Sequence, residues 1–119
     1  MTTKTTKLEA AQNTYAAAAK ALECADADWK RVNRAAAIVR DGGFLNEFNE
    51  DVLVDAARRT VGNAAYGLER AALVETAGKA VVEAYRIAKR AEWEASKVLD
   101  AAEKAAARAE RRREARRAA

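Results

Sequence analysis

The densest set of side chains able to hold a ligand lies in the stretch 104–117. Lys104, Arg108, Arg111, Arg112, Arg113, Arg116 and Arg117 stand there against two carboxylates, Glu110 and Glu114. Arginine-rich segments of this composition fold on RNA, and each guanidinium fork can pair bidentately with phosphate. The stretch holds no aromatic side chain to stack on a base. Basic tails also bind acidic proteins or anionic membranes, or simply keep a helix soluble. Nucleic-acid binding through these seven residues is therefore the alternative of two functional readings.

The other reading rests on aromatic side chains. Trp93 sits between Glu92 and Glu94, off any apolar stripe, and tryptophan is enriched where proteins anchor to one another. Phe44, Leu45 and Phe48 lie in a stretch, 41–55, that carries Asp41, Glu47, Glu50, Asp51 and Asp55 and no lysine or arginine. They suit a plug for the open end of a helical hairpin, or an aromatic patch ringed by carboxylates that meets a basic partner. Phe44, Leu45, Phe48 and Trp93 are the candidate protein-binding residues.

Other chemistry finds few candidates. The sequence has no histidine, which removes Ser-His-Asp and Cys-His catalysis, imidazole zinc sites and the di-iron pattern of helical bundles. Gly42-Gly43 lacks the strand and lysine of a phosphate cradle. Asp41, Asn46, Asn49 and Asp51 do not match the spacing of a calcium loop, whose central glycine is missing. Cys24, the single cysteine, falls off the apolar stripe and suits a reducing compartment. Neither a catalytic residue nor a metal or cofactor is expected.

The elements that position these residues are helical. Of 119 residues 33 are alanine and none is proline, so large apolar side chains are scarce and long, closely packed helices suit the content better than a sphere. Thr6-Lys7-Leu8-Glu9 matches a capping box. Leu8, Tyr15, Leu22, Trp29 and Ala36 then alternate with Ala11, Ala18, Ala25, Val32 and Val39 in one narrow stripe. The Gly42-Gly43 pair should stop this helix. Asn49 is the expected cap of a second helix whose stripe is Val54, Ala57, Val61, Ala64, Leu68 and Ala71, with a kink or a break at Gly62-Asn63. A third stripe follows: Val74, Ala77, Val81, Ala84, Ala88, Ala91, Ala95, Val98, Ala102, Ala105 and Ala109. Leu73, Ile87 and Leu99 widen it, and the helix runs unbroken through Gly78.

The expected fold is all-α: an antiparallel, coiled-coil-like hairpin of two long helices with a short acidic helix at the turn, forming one elongated domain over 1–119. The spans are helix 6–40, turn 41–49, short helix 50–61 and long helix 64–116, with a basic overhang at 104–117. The formal charge is +4. No apolar run reaches the ~18 residues of a membrane span, and Met1 to Thr6 leads into no signal-peptide core. The expectation is a cytoplasmic, non-enzymatic interaction or structural module (scaffold, adaptor or small inhibitor) that binds a protein partner or itself as a homo-oligomer.

Overall fold

The computed structural model describes residues 6–119. It is an all-α hairpin: α1 (Lys7–Arg40), α2 (Glu47–Val61), a 3-10 segment (Gly62–Gly67) and α3 (Arg70–Ala118). The 49 residues of α3, at 1.5 Å each, span about 73 Å. That length sets the long dimension of a molecule measuring 76 × 32 × 18 Å.

α1 starts where its cap dictates: Thr6 Oγ1 accepts the Glu9 N–H at 3.1 Å. All ten stripe residues of α1 are buried or half-buried. The helix ends in a Schellman turn. Gly43 N–H donates to the Ile38 carbonyl at 2.9 Å and Gly42 N–H to Val39 at 3.1 Å. Gly42 takes φ +71°, the left-handed conformation that side chains resist.

α1 and α3 run antiparallel. The Trp29 and Tyr85 rings meet with centroids 5.1 Å apart. Further along, Tyr15 shares a hollow with Ser96 and Leu99, and Leu8 shares one with Ala102 and Ala106. Near the turn α2 packs on both long helices as a third layer. Val32, Leu45, Leu53, Leu73 and Val81 are buried there among alanines. Asp28 ties α1 to α2: its Oδ2 accepts from Arg59 at 3.1 Å and its Oδ1 from Arg31 at 2.9 Å.

Several boundaries differ from the sequence expectation. The turn is 41–46, and α2 begins at Glu47 rather than residue 50, because Asn46, not Asn49, is its cap. Asn46 Oδ1 accepts the Asn49 N–H at 2.8 Å. The interruption at Gly62-Asn63 is a true break. Gly62 adopts φ +60° and a 3-10 turn follows, so α3 starts at Arg70 rather than 64. The second stripe is also displaced. Leu53, Ala56 and Ala57 are buried, whereas Val61, Ala64 and Ala71 are exposed. Three residues per turn in the 3-10 segment carry Ala65 inward instead of Ala64.

In the far half of α3, Leu99 and Ala106 are half-buried while Val98 and Ala105 are exposed. Adjacent apolar pairs each satisfy the spacing, and the position of α1 selects the second of each. Ala91 is likewise exposed and Glu92 half-buried. Continuity through Gly78 holds.

Two glycines give opposite expectations. Gly78 is helical, and a Cβ there would meet nothing within 4 Å, so Gly78→Ala should stabilise by roughly 0.5–1 kcal/mol. Gly42→Ala should destabilise by about 1–2 kcal/mol because of its positive φ. Denaturant melts of the two variants check both signs. Among core leucines, Leu53 is fully buried and Leu22 only partly. Leu53→Ala should cost about 2–5 kcal/mol, Leu22→Ala less, and the exposed Glu23→Ala under about 0.5 kcal/mol. Equal losses at Leu53 and Glu23 would contradict this core.

Candidate interaction surfaces

The four aromatic and leucine candidates do not form one site. At the turn Leu45 is 4 % exposed and belongs to the core, so of Phe44, Leu45 and Phe48 only Leu45 acts as a plug, and it does so at the turn end. Phe44 and Phe48 are 87 % and 66 % exposed. Phe44 lies in the turn, ahead of the Asn46 cap, and Phe48 in the first turn of α2, with Glu47, Glu50 and Asp51 exposed around them. Trp93 lies 23 residues beyond the start of α3, about 35 Å along the helix axis.

Trp93 faces away from α1 and is 57 % exposed. Lys97 Nζ stands 3.7 Å from its ring centroid, and the same ammonium lies 3.7 Å from Glu94. A hollow beside the ring is walled by Tyr85, Arg86, Lys89, Arg90 and one carboxylate, Glu92. The charged surroundings of Trp93 are therefore mainly basic, although its two sequence neighbours are glutamates. A helix turns through about 100° per residue, so the cations that matter are those three, four and seven positions away.

The basic overhang is helical and, among the described residues, extends past the start of α1. α1 begins beside Ala105 and Ala106. Lys104 thus still lies alongside α1, paired with Asp100 at 2.9 Å. Arg108, Arg111, Arg112, Arg113, Arg116 and Arg117 continue past it and are all exposed. Arg113 and Arg117 reach Glu110 at 3.0 and 3.6 Å.

Two surface features escaped the sequence reading. Ile87 and Val98, expected to widen or line the packed face, are 61 % and 57 % exposed. They lie eleven residues apart, three turns, on one flank of α3. Val98 also lines a groove with Leu8, Ala11 and Thr14 of α1 and Ala102 and Ala105 of α3. The signal was the Val98-Leu99 pair, of which only one member can face α1. The second feature is the continuation of the basic line of the overhang back along α3, through Lys97, Arg90, Arg86 and Lys79. Its seven- and four-residue spacing is visible in the sequence once the inward face is known. Among the described residues no group of three or more side chains is arranged to hold a metal ion, and no helix is long and apolar enough to cross a membrane.

The arginine overhang contains no apolar side chain larger than alanine. Deleting residues 110–119 should therefore shift unfolding free energy by less than about 0.5 kcal/mol, measured by thermal and denaturant melts. A large loss would mean that the overhang packs on the hairpin.

Comparison with family models, curated proteins and solved structures gives no match for this chain.

Proposed function

We propose that the chain is a non-enzymatic structural module that associates with a second copy of itself through the uncovered length of the α1–α3 groove. The exposure of Ile87 and Val98 on one flank of α3 carries this reading. Ala91 and Ala105 stand on the same line, at spacings of four and seven, so the flank is a narrow apolar strip.

α2 indicates what the groove accepts. On α1, Thr14, Ala21 and Asp28 are seven residues apart and share one line. Asp28 faces α2 through Arg59, whereas Thr14 lines the groove with Val98. The groove that holds an amphipathic helix near the turn therefore continues past it, and among the described residues no helix lies in that continuation. A second hairpin brings the same strip, and a surface that pairs with its own copy closes as a two-fold dimer. Burying Ile87 and Val98 twice over is favourable at about 25 cal/mol per Å² of apolar surface. The exposed Cys24 thiol suits a reducing compartment such as the cytoplasm.

Sedimentation equilibrium in the micromolar range should give a dimer. Ile87→Asp with Val98→Asp should give a helical monomer, because a buried unpaired carboxylate is strongly unfavourable. Trp93→Ala, on the other flank, should leave association unchanged. A wild-type monomer with a cooperative melt independent of concentration would overturn the reading.

A further inference from the structure

We propose that the outward ridge of α3 binds single-stranded nucleic acid along its length, with Trp93 stacking on a base. The ridge goes beyond the self-association reading and uses a different face.

Lys79, Arg86, Arg90, Lys97, Lys104 and Arg108 follow one another at intervals of seven, four, seven, seven and four residues. Those intervals keep them on a single line of an α-helix. All six are exposed, and the line is opposite the face that α1 covers. Arg111 extends it further along the overhang. From Lys79 to Arg111 the row runs for about 48 Å. Lys79, Lys97 and Lys104 have neighbouring carboxylates at 3.0, 3.7 and 2.9 Å. These pairs are solvent-exposed and weakly held, so phosphate can replace them. Among the described residues Arg86, Arg90, Arg108 and Arg111 have no carboxylate within 4.0 Å. Their forks are free for bidentate pairing with phosphate oxygens.

The aromatic that the overhang lacks is supplied in mid-row. Trp93 flanks the line between Arg90 and Lys97, and the hollow beside its ring is lined by Tyr85, three cations (Arg86, Lys89 and Arg90) and one carboxylate, Glu92. A base entering that hollow meets an indole and, one helical turn away, cations for its own phosphates. Stacking of this kind tolerates any base sequence.

The geometry selects among polyanions. Bases in a duplex are already stacked on one another and cannot reach a single outward indole, whereas a flexible strand can follow a straight row and turn one base in. An anionic membrane surface calls for a broad apolar helix face, and Trp93 is the one large apolar side chain on this line.

The test uses the full chain and fluorescence anisotropy of labelled oligouridylate and oligothymidylate of about 12 nucleotides, within the usual site size. A duplex of the same length and anionic vesicles serve as competitors. Both single strands should bind at about 50 mM salt, and affinity should fall steeply as salt rises and counterions are released. Arg86→Ala with Arg90→Ala should weaken binding by at least about tenfold and reduce the log–log salt slope by about 1.4, the value for two lost phosphate contacts on a single strand. Trp93→Ala should weaken binding on the order of tenfold without changing that slope, and Trp93→Phe should recover most of it. Circular dichroism of each variant verifies the helix.

The proposal is overturned if neither strand binds, or if duplex or vesicles compete as well as the single strand does. It is equally overturned if the Arg86/Arg90 and Trp93 variants bind as the wild type while removal of 110–119 abolishes binding, since that pattern belongs to the tail alone. None of these outcomes changes the sedimentation result on Ile87 and Val98, so the two readings fail separately.

Discussion

The close approach of α1 and α3 along alanine governs the rest of the molecule. Among the described residues, nine of the fourteen buried apolar side chains are alanine. Each contributes little transfer free energy, because burial stabilises in proportion to apolar area. Stability must then be gathered along length rather than in depth, which is why a chain of 119 residues extends to 76 Å. The exception is the turn end. There Leu45, Leu53, Leu73, Val32 and Val81 come together because α2 adds a third layer. Away from this end, along the two-helix stretch, the described buried residues are Ala11, Ala25 and Ala95. The hairpin is thick and firmly packed at one end and two helices deep at the other.

This taper leaves apolar side chains at the surface. A two-helix seam has one inward line per helix, so a residue a third of a turn away stays wet. Ile87 and Val98 are in that position on one flank of α3, and Trp93 is so placed on another. A third helix covers such flanks near the turn, where Val32 and Ala35 of α1 pack against α2 and α3. Beyond α2 the same helices present an apolar strip on one side and a row of cations on the other. The proposed self-association and nucleic-acid binding fall on these separate faces, so an assembled dimer would still display both of its basic rows.

Long uninterrupted patterns were the most legible part of the sequence. The stripe from Leu8 to Val39 repeats without a conflict through a helix of 34 residues, and only one face of a helix can satisfy it. Thr6 and Gly42-Gly43 were legible for a similar reason, since each performs a cap that few residue types can perform. Legibility failed where neighbours competed. Val52-Leu53-Val54 offers three adjacent apolar residues, and nothing in the local sequence says that Leu53 faces both long helices. Asn46 and Asn49 are both followed by carboxylates, and what distinguishes them is the length of helix that each would open. In the far half of α3, Val98-Leu99 and Ala105-Ala106 present the same ambiguity. Phe44 and Leu45 show the limit for the candidate site. They are adjacent and equally apolar, yet one is in the core and the other in water, because the chain leaving the Schellman turn has only one inward direction. The outward placement of Trp93 was legible. Its basic surroundings were not, since they are set by residues a turn away rather than by Glu92 and Glu94.

The unbroken course of α3 makes it a ruler as well as a wall. From the packed turn end to the last arginine no proline, bulge or reversal interrupts the helix, so position along it is counted in residues at about 1.5 Å and 100° each. A whole heptad gained or lost in the overhang would move the terminal charges by about 10 Å and keep them on the same side. A single residue would barely change their reach, yet it would turn every one of them roughly a quarter of the way round the axis. Reach and facing are thus separately adjustable in this architecture, and insertions of different length would tune one or the other without touching the core that holds the hairpin together.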